Sequence, residues 1–353
     1  ENDCRQRSHR LFGWRMSDLI SGVLAGNRRA IARMLTQVEN QPAGVDGLLT
    51  ALFPHTGHAW VIGVTGAPGT GKSTLVNALT KAYRERGQQV GIIAVDPTSP
   101  FTGGAILGDR IRMRDLSGDD GVFIRSMATR GNLGGLARAT RDAVRVLDAG
   151  GFQIVIVETV GAGQNEIDIV RAAHTTLVVD APGMGDDVQA IKAGILEIAD
   201  VLVVNKADRP GATQTVRALK TMLDLGHPAR LSTSVGHHGR MLPVASVPAP
   251  NGSDFWLPPI LSTVASDGTG IDALIEAISD HRDHLEHAGR LAQMEQAQFA
   301  IEIQERLRDH LMQRVLQQVP SDAISSLIEQ VQARHLDPQR AVESILEQVG
   351  FAG

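Results

Sequence analysis

The stretch "GAPGTGKST", from Gly66 to Thr74, places Gly66, Gly71, Lys72 and Ser73 at the spacing G-x-x-x-x-G-K-[ST]. Residues of these types in this order build a loop whose backbone N–H groups wrap a polyphosphate. The lysine then reaches the outer phosphates and the serine hydroxyl faces a magnesium ion. Gly66, Ala67, Pro68, Gly69, Thr70, Gly71, Lys72, Ser73 and Thr74 are therefore the expected phosphate cradle. A strand-like run, "WVIGV", precedes the loop and a helical pattern, "STLVNALTKAYRERG", follows it. That order sets the phosphates at a helix N-terminus, where unpaired N–H groups and the helix dipole favour anions.

A second constellation names the base. "VLVVNKAD" ends a β-branched run with Asn205, Lys206 and Asp208. A carboxylate at this place accepts two hydrogen bonds from N1–H and the exocyclic amine of guanine, whereas adenine offers neither donor. The expected nucleotide is GTP, with a salt-bridged loop aspartate as the structural alternative. "STVASDGTG" completes the base site: Ser262, Val264 and Ala265 are its expected members, with the Ala265 N–H as donor to guanine O6 and Val264 where many GTPases carry serine.

Between these motifs lies "IVIVETVGAGQNE". Its strand-end acid is Glu158 where most such loops carry Asp, and Gly161, whose N–H would meet the γ-phosphate, follows three residues later. The longer carboxylate reaches magnesium directly or through water. Ala162 follows Gly161 in place of a water-positioning Gln, and Gln164 lies two residues too far. Slow intrinsic hydrolysis, accelerated by a partner, is the expected consequence. "VDPTSPFTGGAILGDRIRM" begins at a strand end and runs into a Gly- and Thr-rich stretch, with Asp96 and Asp109 as candidate metal-facing acids; a solvated carboxylate is the alternative for each.

The elements that must position these residues follow from periodicity. Short apolar runs alternate with helical stretches from Trp60 onward, and runs apolar on both faces suit a parallel sheet covered by helices. The expected fold class is a doubly wound, mostly parallel α/β P-loop sheet. Two amphipathic helices precede it, with Ser17 and Asn27 as caps and Gly26 as a stop. Three helices follow it, the second and third capped by Ser321 and by Asp337 ahead of Pro338. The expected organisation is an extension over 1–15, outside the ordered domain, an N-terminal helical segment over 16–55, a nucleotide-binding domain over 56–285 and a C-terminal helical arm over 286–353. The arm reads either as a docking or dimer surface or as a simple helical lid. Residues 226–259 read as a long surface loop.

Bulk composition narrows the class. The 353 residues carry a formal charge of −5 with both signs interleaved, so no broad basic surface for nucleic acid is expected. A single cysteine, Cys4, excludes a disulfide framework and a C-x-x-C metal site. No apolar run has membrane-span length, so no membrane partner is expected. The first fifteen residues lack the apolar core of a secretory signal, though their arginines resemble an organellar leader. The expected location is the cytoplasm of a bacterium, or the mitochondrial matrix in a eukaryote. His237 and His238, and the helical trio His281, His284 and His287, read as solvated or structural histidines, since no thiol or acid closes a metal site around them.

Taken together, these stretches resemble the cobalamin-mutase-associated GTPases, the methylmalonyl-CoA mutase chaperone family once labelled lysine/arginine/ornithine transport ATPases. "GVLAGNRRAIARMLTQVEN", "GVTGAPGTGKSTL", "ETVGAGQNE", "GMGDDVQAIKAGILEIADVLVVNKAD" and "WLPPILSTVASDGTGI" carry the likeness over nearly the whole chain from Met16. The resemblance implies a GTPase that binds an adenosylcobalamin-dependent acyl-CoA mutase, gates cofactor loading with GTP and helps eject damaged cofactor. It implies GTP/GDP and Mg²⁺ as cofactors, a homodimer through the C-terminal helices, and the cobalamin adenosyltransferase as a further partner. It also implies magnesium or switch roles for Ser73, Asp96, Asp109 and Glu158, catalytic roles for Lys72, Glu158 and Gly161, and a partner-sensing segment from Ala181 to Lys192 whose charged members are Asp186, Asp187 and Lys192. Two other readings stand beside it. A nickel-insertion GTPase shares the glutamate but usually carries a Cys/His cluster. A transport-associated ATPase or kinase needs adenine recognition that Asp208 disfavours.

Overall fold

The computed structural model describes residues 10–11, 14–40, 44–96, 114–116, 118–128, 133–159, 172–183, 198–226, 256–287 and 289–350. They divide into two compact units, the first ending with the helix that closes at His287 and the second opening at Gly289.

The first unit is built on seven parallel strands: β3 (Trp60–Thr65), β4 (Val90–Asp96), β5 (Val122–Ala128), β6 (Ile154–Thr159), β7 (Thr175–Asp180), β8 (Val201–Asn205) and β9 (Ile260–Thr263), in the order β5-β4-β6-β3-β7-β8-β9. This is the doubly wound sheet expected from the apolar runs, and every residue of β3, β6, β7 and β8 is buried. The connecting helices are α4 (Lys72–Glu85), α5 (Leu133–Ala149), α6 (Ala212–Gly226) and α7 (Ile271–His287). Strand β5 is an addition to the sequence reading. Its Arg125 and Ser126 interrupt an apolar pattern, which an edge strand tolerates because one side meets no further strand.

Ahead of the sheet come α1 (Met16–Leu24), α2 (Arg28–Asn40) and α3 (Val45–Leu52). Asn27 caps α2 as expected, its Oδ1 accepting from the N–H groups of Arg29 and Ala30 at 3.0 and 3.2 Å. Ser17 is no cap: α1 starts one residue earlier and the hydroxyl donates to Asp18 instead. Nor does Ser321 cap its helix, because it is already the first helical residue and Pro320 occupies the cap position. The N-terminal helices do not form a layer of their own. Leu19, Ile31, Met34, Leu35 and Leu48 share one core with α5 and with Val61, Val155 and Val157 of the sheet. Arg125 of β5 pairs with Glu39 of α2, so this layer is tied to the sheet by charge as well as by apolar area. Before α1, Arg10–Leu11 (β1) pairs antiparallel with Trp14–Arg15 (β2).

The second unit contains α8 (Arg290–Gln318), α9 (Ser321–Gln332) and α10 (Pro338–Gln348). Asp337 caps α10 as expected, accepting from Arg340 N–H at 3.0 Å, with Pro338 at the first helical position. Large apolar side chains, among them Phe299, Ile303, Leu307, Leu311, Met312 and Leu316, are exposed along α8. Among the described residues no helix is long and apolar enough to cross a membrane.

Candidate functional site

A parallel sheet delivers all its strand ends to one edge, and the motif residues sit there because each closes or follows a strand. Residue Thr65 ends β3 and the chain turns at once into the phosphate loop. Gly66 has φ 144°, and a Cβ on it would lie 2.0 Å from the carbonyl oxygen of Val179 on β7, so only glycine lets the loop leave in this direction. Gly71, with φ 92°, precedes α4 without a side-chain cap, which leaves the first N–H groups of the helix for an anion. Lys72 is buried, and its ammonium donates to the carbonyls of Gly66 and Ala67 at 2.8 and 3.0 Å. Thr70 Oγ1 closes the same turn on the Ala67 carbonyl at 2.9 Å.

Two of the four residues expected around magnesium, Ser73 and Glu158, are together. Ser73 Oγ donates to Glu158 Oε1 at 2.6 Å, and both side chains are buried. Register explains the meeting: Glu158, one residue before β6 ends, lies beside Val64 of β3 and Ala94 of β4, near the ends of those strands. A buried hydroxyl and a buried carboxylate are hard oxygen donors of the kind Mg²⁺ takes, so this pair fits the ion. Asp96 closes β4 beside Ala128, which brings its backbone to the same sheet edge. Asp109, Gly161, Gln164, Asp186, Asp187, Lys192, His237 and His238 lie outside the described residues.

The base-reading elements are bound to the phosphate loop directly. Asn205 Nδ2 donates to the Thr70 carbonyl at 2.9 Å, and Asn205 Oδ1 accepts from Thr263 Oγ1 at 3.2 Å and Ala265 N–H at 3.1 Å. The Ala265 N–H expected to face guanine is thus engaged by Asn205 in this structure. Lys206, in the left-handed region at φ 57°, donates from Nζ to the Gly69 carbonyl at 2.6 Å and spans the loop. A non-glycine residue held there is backbone strain at a functional position. Asp208 is exposed beyond β8. Ser262 pairs with Val204 in the β8–β9 ladder, and Val264 donates its N–H to Thr269 O at 3.0 Å.

Sequence spacing does not disclose the hydroxyl pair at the root of the loop. Thr159 Oγ1 donates to Thr65 Oγ1 at 3.1 Å, and both residues are fully buried.

At the opposite sheet edge the histidines find structural partners. Trp60 Nε1 donates to Thr175 Oγ1 at 3.1 Å, and the Thr175 oxygen is 3.0 Å from His281 Nδ1. Asp200 Oδ1, an acceptor, lies 3.5 Å from His281 Nε2, so a neutral ring carrying its proton there leaves Nδ1 to accept from the Thr175 hydroxyl. Burial, with the nearby His284, pushes His281 down to about 4, which makes this contact one of a neutral ring rather than an ion pair. His174, which accepts the Val61 N–H at 3.1 Å, is likewise pushed down to about 4 by burial and then by Arg282. His287 bonds the Asp283 carbonyl at 2.7 Å.

Comparison with known proteins agrees with this geometry. The family model described as "Methylmalonyl Co-A mutase-associated GTPase MeaB" matches residues 31–320. A protein of Pyrococcus abyssi, provisionally named a GTPase, is 44% identical over 334 residues, covering 95% of this chain and 97% of its own. The mouse protein named methylmalonic aciduria type A homolog, mitochondrial, is 29% identical over 350 residues, covering 93% of this chain and 78% of its own. Among solved structures, one described as a LAO/AO transport system kinase superposes with a TM-score of 0.66 at 26% identity, covering 95% of this chain and 97% of that one. With the model matching most of its length, and with phosphate loop, strand-end glutamate and NKAD loop assembled at one sheet edge, the chain belongs to the MeaB family of methylmalonyl-CoA mutase-associated GTPases.

Proposed function

We propose that this protein is a GTP-hydrolysing chaperone that docks on an adenosylcobalamin-dependent acyl-CoA mutase, methylmalonyl-CoA mutase or a close relative, and couples its nucleotide state to cofactor loading, protection and reactivation. The observation that carries the reading is the 2.6 Å meeting of Ser73 and Glu158 at the head of α4, in a chain whose family is described by its association with that mutase.

Hydrolysis asks little covalent chemistry of the protein and much positioning. Lys72 leaves its carbonyl partners to neutralise the outer phosphates, and the free N–H groups at the start of α4 hold them in place. Ser73 and Glu158, with Asp96 and Asp109 from the neighbouring stretch, hold Mg²⁺, which when bound neutralises charge on the phosphate oxygens. The Gly161 N–H meets the γ-phosphate. Ala162 positions no water, so turnover is slow until a partner completes the site. Asn205, Lys206 and Asp208, with Ser262, Val264 and Ala265, select guanine. Asp186, Asp187 and Lys192 meet the mutase, since a nucleotide can shift partner binding only through contacts that differ between its two states. The exposed apolar stripe of α8 supports a homodimer built on the C-terminal unit.

Steady-state GTP and ATP hydrolysis, with and without purified methylmalonyl-CoA mutase and alongside size-exclusion chromatography, tests the reading. GTP-specific turnover that rises when the mutase joins the complex supports it. Turnover indifferent to every acyl-CoA mutase, or equal use of ATP, refutes it.

A further inference from the structure

Strands β3 and β6 are apolar as far as Val64 and Val157, yet each ends on a threonine, next to Gly66 and Glu158 of the candidate site. A valine would fill either place with no hydroxyl to satisfy, and a buried hydroxyl is costly unless bonded. Here the two are bonded to one another: Thr159 Oγ1 donates to Thr65 Oγ1 at 3.1 Å, with the Val64 carbonyl also 3.5 Å from Thr159 Oγ1.

The paired residues flank the working parts. Thr65 precedes Gly66, whose carbonyl holds Lys72, and Thr159 follows Glu158, which holds Ser73. The ladder between the strands ends at Val64 and Glu158, and the hydroxyl bond is a lateral link one residue beyond it. On the other side β3 is pressed against β7, where Gly66 leaves no room for a Cβ beside Val179. The root of the phosphate loop is therefore gripped from both neighbouring strands.

Side chains alternate along a strand, so Thr65 and Thr159 share the face of Val61, Val155 and Val157, covered by the N-terminal helices and α5. Glu158 points to the opposite face, towards Ser73 of α4. The threonines thus lie on the face of the sheet away from the Ser73–Glu158 pair.

We propose that Thr65 and Thr159 are positioning residues of the GTPase site: their hydroxyl pair fixes the ends of β3 and β6 against each other and so holds Ser73 and Glu158 together for the magnesium-bound nucleotide. The inference rests on guanine nucleotide and Mg²⁺ binding at this loop, and is independent of any mutase client.

The test compares wild type with Thr159→Val, Thr65→Val, the double variant and Thr159→Ser. Affinity for a fluorescent GDP analogue is measured in EDTA and in Mg²⁺, and the ratio of the two reads the magnesium linkage. Affinity in EDTA stays within about twofold, while each valine variant loses about five- to tenfold of the linkage, the range of one hydrogen bond. The double variant loses less than the sum of the two single ones, because the hydroxyls share one bond. Thr159→Ser restores the hydroxyl and with it the linkage. Should Thr159→Val fail to fold, Thr65→Val against Thr65→Ser makes the same comparison. Full linkage in the valine variants, additive losses in the double, or a serine variant as impaired as the valine one overturns the proposal. A wild type that binds GDP with no gain from Mg²⁺ overturns it too, and one that binds no guanine nucleotide overturns the GTPase reading beneath it.

Discussion

Gly71 and Asn205 are so closely apposed that a Cβ on the glycine would lie 2.5 Å from the amide nitrogen of the asparagine. That nitrogen is committed to the Thr70 carbonyl, so the phosphate loop and the base-reading loop are joined directly. Gly71→Ala meets this collision and a φ of 92° that alanine resists. GTP affinity by isothermal titration is expected to fall roughly ten- to a hundredfold, as a clash plus left-handed strain of a few kcal/mol implies. An unchanged affinity would mean that the two loops separate freely.

Asp208 stands exposed past β8, ready to accept from a base. Asp208→Asn replaces an acceptor with a donor, which suits the C2 carbonyl of xanthine and leaves the guanine amine unmatched. Preference is expected to move from GTP towards XTP by at least about a hundredfold, the scale of lost buried hydrogen-bond matching. Competition of GTP and XTP for a fluorescent nucleotide reads the ratio, and retained GTP preference would remove Asp208 from the base site.

The buried histidines set an acid limit on stability. His174 and His281 are held near 4 by burial, below the roughly 6.5 of an exposed imidazole. Between those values the unfolded chain binds more protons, so stability is complete above pH 6.5 and declines as pH falls towards 4. The loss is on the order of 1–3 kcal/mol per histidine. Urea midpoints at pH 7.5, 6.0 and 5.0 should fall in that order, and His281→Asn should flatten the trend. Equal midpoints from pH 7.5 to 5.0 would contradict it.

Leu307 and Leu311 lie one helical turn apart on the exposed stripe of α8. If the C-terminal unit forms the homodimer, Leu307→Glu with Leu311→Glu places four carboxylates in that interface. Light scattering is then expected to give a monomer, with single-chain GTP binding retained. A dimer of undiminished strength would assign the stripe to another role.

The motif residues were legible because spacing alone carries them: Ser73 opens the helix after the phosphate loop, Glu158 stands at a strand end, and a parallel sheet brings strand ends together. What spacing could not carry is register. The Thr65–Thr159 bond and the engagement of Ala265 N–H by Asn205 depend on which strands are neighbours and at what offset. Helix α3 escaped notice because eight residues with a central Gly47 give barely two turns of periodicity and no side-chain cap. Strand β5 escaped because Arg125 serves Glu39 rather than the apolar pattern.

The aromatic cluster around Thr175 has an optical consequence. Trp60 lies 4.6 Å from the His174 ring and Trp256 lies 4.9 Å from the His281 ring, both at the sheet edge away from the phosphate loop. Indole emission from these two reports the seating of α7 against the strand starts, and protonation of either imidazole quenches it. A change in that emission when GTP is added would therefore register a displacement carried across the full width of the sheet, with no contact between chromophore and nucleotide.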